Sequence, residues 1–109
     1  MITFISKTTT SQHYQGENIS PGVLDDVVKY CSDKHIIAVD TETNGLDYTS
    51  NEITMLQIGD NDHQFVIDVR VIDITPLKIL LENKETIKIL HIAKLDYLFI
   101  KSQFEIELN

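Results

Sequence analysis

After His35 the chain runs "IIAV", apolar and mostly β-branched, and then breaks at once into two carboxylates, Asp40 and Glu42, in "VDTETNGL". A run of this kind is expected of a central strand covered on both faces. Residues i and i+2 of a strand point to one face, so the two acids project side by side where the strand leaves the core. Carboxylates that close repel unless one is protonated or both share a cation. Hard oxygen donors in this arrangement suit Mg²⁺ or Mn²⁺, which also accept phosphate oxygens. An acidic surface turn is the bland alternative. The apolar strand before the pair and the glycine-containing turn after it favour a metal without excluding that turn.

An EF-hand calcium loop is excluded. "DTETNG" fits the opening of an EF-hand loop, but its twelfth residue would be Asn51 instead of glutamate and its eighth is Asp47. Its flanks read as strands, whereas an EF-hand needs helices.

A chain of 109 residues is at most one domain, and 42% hydrophobic with 24% charged residues is ordinary globular composition. A net charge of −8 gives no overall attraction for polyanions. Any nucleic-acid role therefore needs metal ions, local lysines or a basic partner. The single cysteine, Cys31, cannot form an internal disulfide, and no Cys/His cluster has zinc spacing. The opening "MITFISKTTTSQ" has too short an apolar run for a signal peptide or membrane span, so the chain is expected to be soluble and cytoplasmic.

"ITFI" at residues 2–5 reads as a short strand, followed by a polar link, "SKTTTSQHYQGEN". Ser20 and Pro21 signal a helix start, and Val23, Leu24, Val27, Val28 and Cys31 form its apolar stripe. Three strands follow, within "HIIAVDTE", "EITMLQIG" and "QFVIDV", the last two joined by a hairpin loop, "DNDH". Thr75 and Pro76 repeat the cap-then-proline signal before a short helix burying Leu77, Leu80 and Leu81. "TIKILHIA" is a further strand, and "KLDYLFIKSQF" a helix with Leu95, Leu98 and Phe99 at helical spacing. This order predicts an α/β domain: a three-strand antiparallel meander, a crossover to a parallel strand, and helices covering the sheet.

Asp96 falls in the first turn of that last helix, where the helix dipole alone would favour a carboxylate. If the strands of "HIIAV" and "TIKIL" are neighbours, however, Asp96 emerges beside Asp40 and Glu42. Three carboxylates converging there would make a divalent-cation site.

"VDTETNGLD" and "KILHIAKLDYLFI", with "ITMLQIG", "FVID" and "PLKILLE" between them, resemble the DEDD (DnaQ-like) 3′–5′ exonucleases, most of all the proofreading domain of family-A DNA polymerases. Ribonuclease D-type enzymes share the arrangement. The resemblance implies a ribonuclease H-like fold and a two-metal hydrolysis of single-stranded 3′ ends to nucleoside monophosphates. On that reading Asp40, Glu42 and Asp96 are the catalytic and metal-ligating residues. Leu46 wedges against the terminal base, Thr43 and Asn44 contact the terminal nucleotide, and His91 and Lys94 contact phosphate. Each of these five also has a plain role in a turn or on the surface.

The likeness departs at Ile92, where the family has asparagine, and at Leu95, where it has phenylalanine. The family's third motif, with its fourth aspartate, has no counterpart before Asn109. The expectation is a C-terminally incomplete exonuclease domain over 1–109, with strand and polar loop in 1–19 and the core in 20–109. Its expected partners are a single-stranded DNA or RNA 3′ end and a DNA polymerase or downstream chain supplying the third motif. The Ile/Lys/Asn-rich composition suits a phage-like genome. A catalytically degenerate module for nucleic-acid binding or protein interaction is the alternative.

Overall fold

A computed structural model of the chain describes residues 1–6, 19–91 and 93–109. Most of the expected polar link, and Ile92, lie outside these. The elements in order are β1 (Ile2–Ile5), β2 (Ile19–Pro21), α1 (Leu24–Cys31), β3 (Ile36–Thr43), β4 (Ile53–Gly59) and β5 (Gln64–Asp68). A 3-10 turn (Thr75–Leu77) then runs into α2 (Lys78–Leu81), followed by β6 (Ile87–Leu90) and α3 (Ala93–Phe104).

The six strands form one mixed sheet in the order β2-β1-β5-β4-β3-β6. Strands β3, β4 and β5 pair antiparallel, while β6 lies parallel to β3, and β1 parallel to both β5 and β2. The expected meander with its added parallel strand is therefore present, and β3 and β6 are neighbours. The helix start is corrected. Ser20 and Pro21 belong to the edge strand β2, which proline tolerates because its missing N–H faces away from the ladder. Helix α1 begins at Leu24, and the Asp26 carboxylate accepts a hydrogen bond from the Val23 amide at 2.9 Å.

Cross-strand register decides which face each side chain takes. Val39, Ile58 and Phe65 are in register across β3, β4 and β5, as are Thr41, Leu56 and Ile67. Of these only Thr41 is not fully buried, and Val27, Cys31, Leu77, Leu80, Leu81, Phe99, Ile100 and Ile106 belong to the same core. The opposite face is open among the described residues. It carries Ile36 and Ala38 of β3, in register with Ile87 and Ile89 of β6 and all exposed, so the central strand is covered on one side only.

The β4–β5 hairpin is closed by Asp60, whose carboxylate accepts from the amides of Asp62 and His63 and from the Tyr30 hydroxyl of α1 at 2.8 Å. Gly59 is required here, since a Cβ would collide with the His63 carbonyl oxygen. The Tyr30 bond holds the Asp60 carboxyl below its ordinary range and pushes the phenol up to about 12. A depressed carboxyl contributes stability above its unfolded pKa, roughly 3.9, and loses that contribution as pH falls through the folded value. Asp60→Asn should therefore lower the melting temperature at pH 7. The gap to the wild type should close below about pH 4 in thermal melts across pH. In the core, Leu81→Ala should cost about 2–5 kcal/mol in urea denaturation.

Candidate active site

Strand β3 brings Asp40 and Glu42 out on the open face, both exposed. Among the described residues neither has an ion-pair partner. The Asp40 carboxylate accepts the adjacent Thr41 amide at 2.9 Å. Beside Asp40 the open face forms a shallow cleft of about 240 Å³ lined by Ala38, Asp40, Gln57 and Gln64. Two unpaired hard-oxygen donors on one strand face fit a divalent cation.

Asp96 is buried at 6% exposure in the first turn of α3. Its Oδ1 accepts a 2.6 Å hydrogen bond from the Thr41 hydroxyl. Thr41 lies between Asp40 and Glu42 on β3 and so points to the other side of the sheet. The three acids are thus linked through three consecutive residues of one strand, but two are exposed and the third is buried against Thr41. Among the described residues no three acidic, histidine or cysteine side chains group closely enough to hold a metal ion. The Asp40–Glu42 pair fits the cation, while the trio as placed does not form one cage.

The turn after β3 uses its own polar atoms. Thr43 donates its hydroxyl to the Gly45 carbonyl at 2.6 Å, and Asn44 Oδ1 accepts the Glu52 amide at 2.8 Å. Asp47 accepts the Thr49 hydroxyl at 2.6 Å, which holds its carboxyl below the usual range. A Cβ at Gly45 would push aside the Asn51 side chain, whose Oδ1 accepts the Asp47 amide at 3.0 Å. The loop so fixed displays Leu46, which is 80% exposed instead of packing as an ordinary turn residue.

Leu46 and Tyr48 face Leu95, Leu98 and Lys94 of α3 across an apolar pocket of about 600 Å³. Leu95 and Leu98 are half-buried, and the buried stripe of α3 is Asp96, Phe99 and Ile100. Helix α3 is fastened at its far end by Gln103, which bonds both backbone groups of Ile53 at 2.6 and 3.2 Å. His91 and Lys94 are exposed where β6 passes into α3. Sequence reasoning missed Thr41 and Tyr48. Strand alternation already put Thr41 opposite the acid pair, whereas nothing local marked Tyr48.

The chain matches the family described as 3′-5′ exonuclease over residues 22–109 and belongs to it. No curated protein matches the chain. Among solved structures it is similar to Brucella melitensis NrnC, with 18% identity and a TM-score of 0.65 for the form with bound Mg²⁺. For NrnC bound to pGG the identity is 17% and the TM-score 0.69. Both alignments cover 99% of this chain and 45% of NrnC. It is also similar to Escherichia coli RNase D, an exoribonuclease involved in structured RNA processing (26% identity, TM-score 0.63, 75% of this chain and 22% of that one). Trypanosoma brucei RNase D in complex with RNA U12 aligns at 15% identity and TM-score 0.73, over 99% of this chain and 36% of that one. The fold is ribonuclease H-like and DnaQ-like, and the chain spans less than half the length of these neighbours. Among the described residues no helix is long and apolar enough to cross a membrane.

The Thr41–Asp96 bond gives a direct test. Thr41→Val keeps the shape but leaves a buried carboxylate short of a donor, which should cost about 1–3 kcal/mol in urea denaturation. Thr41→Ser should recover most of that loss.

Proposed function

We propose that this chain is part of a metal-dependent 3′–5′ exonuclease domain that removes nucleoside monophosphates from single-stranded 3′ ends. The observation that carries the reading is the Asp40–Glu42 pair, without an ion-pair partner among the described residues and projecting together on the open face of β3. In this reading residues 1–109 belong to one exonuclease domain whose core is 20–109. Asp40 and Glu42 would hold the cations, two Mg²⁺ or Mn²⁺ ions, with Asp96 the third ligand that the second motif assigns. Divalent cations bound there supply an activated water and neutralise charge at the phosphate. Leu46 meets the terminal base at the apolar pocket, with Thr43 and Asn44 shaping the turn that presents it. His91 and Lys94 supply positive charge beside it.

The open face is also where a further part of the domain docks in this reading. Ile36, Ile87 and Ile89 are each more than half exposed and adjoin the acid pair, an apolar surface suited to a covering helix that brings a fourth carboxylate. That helix comes from the rest of a longer polypeptide or from a downstream chain. The first and second motifs favour a DNA end presented by a polymerase, as in proofreading, while pGG and U12 in the neighbouring structures favour RNA or short oligonucleotides. A second reading rests on the undivided Thr41–Asp96 bond and the lack of a three-acid group among the described residues. On that reading the chain is a non-catalytic module that binds nucleic acid or protein.

The test is digestion of 5′-labelled single-stranded DNA and RNA with Mn²⁺, by the chain alone and with the polypeptide encoded downstream. Stepwise shortening is expected to be weak alone and to rise with the added polypeptide. Asp40→Ala or Glu42→Ala should reduce it at least about 100-fold, the scale of losing electrostatic transition-state stabilisation. Shortening indifferent to Asp40→Ala would sink the assignment of the pair. Binding without cleavage under every condition would favour the module.

A further inference from the structure

On the helix side of the sheet, beyond the apolar pocket, a second groove of about 470 Å³ runs between β6 and α3. Its lining includes Lys84, Lys88 and Lys94, together with Tyr97 and Leu90. Three of the chain's nine Lys and Arg residues therefore meet in one groove of a molecule whose net charge is −8. Lys88 is anchored, its ammonium donating to the Asn83 carbonyl, and partial burial lowers its pKa. Among the described residues Lys84 and Lys94 have no ion-pair partner. The Tyr97 ring is fixed by its hydroxyl, which donates to Glu107 at 2.9 Å, and by the Lys101 ammonium over its face. Lys94 lines both this groove and the Leu46–Tyr48 pocket, so the two lie side by side at the start of α3.

We infer that the Lys84–Lys88–Lys94 groove is a backbone track for the nucleotides upstream of the reacting end, taking phosphates on its lysines with Tyr97 as a platform for a base. The inference rests on the proposed nucleic-acid function and adds to it a site away from the acid pair. Charge selects the occupant. A cationic groove is unusual on so acidic a chain, and an apolar pocket beside it, sharing Lys94, suits the pairing of phosphate and base in a single strand. Phosphate contacts are blind to sequence, so the track should favour longer strands over shorter ones without favouring particular bases.

The experiment titrates fluorescein-labelled U12, A12 and a dinucleotide with the whole chain in EDTA, which prevents hydrolysis, across a salt series. The comparison is wild type against Lys84→Glu and Lys84→Arg, with thermal melts to confirm folding. Lys84 is exposed, so both variants should fold. Lys84→Glu should weaken both 12-mers by roughly 3- to 10-fold and lower the salt slope by about 0.7, while Lys84→Arg retains binding. Dinucleotide binding should be unaffected. If the wild type binds the 12-mers and Lys84→Glu binds them equally well, the track is wrong and the proposed function stands. If the wild type binds no oligonucleotide, with EDTA or with Mn²⁺, the function falls and the track with it. If an oligo-glutamate peptide binds in a Lys84-dependent way while U12 does not, the groove is a protein-docking site and the inference is overturned.

Discussion

The two-residue alternation of β3 is the constraint from which the rest follows. Ile37 and Val39 must face the helices for the core to close, and that requirement alone sends Asp40 and Glu42 to the other side. A slip of one residue would bury two carboxylates and expose the centre of the core, so packing energy enforces the placement of the acids. The same alternation aims Thr41 inward, where it meets Asp96 of α3. One strand thereby connects an exposed acid pair to a buried third acid with a single backbone step on either side.

Much of this architecture was legible because its periodicities are clean. Strands β3 to β5 and helix α3 fall within a residue or two of the runs that announce them, the run announcing β6 overshoots its end by three, and the leucines of α2 are buried as their spacing requires. Ser20–Pro21 misled because a capping signal is local, whereas pairing with β1 is not. The apolar run from Ile36 to Val39 suggested a strand covered twice, but sequence records what a face is made of and not whether anything lies against it. Leu95 and Leu98 carried a core-like period and turned out to wall a pocket. Tyr48 had no period to read, since its position depends on how the loop after β3 folds against α3.

Electrostatics divides the surface in a way that net charge conceals. The acid pair occupies the open face, and the lysines of β6 and α3 lie around the far side of the sheet. An overall −8 would repel a polyanion at long range, but screening at physiological salt confines that repulsion to about 8 Å. Inside that distance the local charge decides, positive at the lysine groove and negative at the acid pair.

The ladder between β3 and β4 is regular through Glu42, which faces Met55, and then shifts so that Thr43 faces Ile53. The surplus residue is Thr54, whose hydroxyl donates to the Glu42 carbonyl at 3.1 Å. A bulge at this point takes up irregularity on the loop side of both acids. Insertions or deletions between residues 44 and 52 would therefore be absorbed beyond the bulge, and neither carboxylate would be rotated off its face. The turn is thus free to diversify in length while the acid pair keeps its aim.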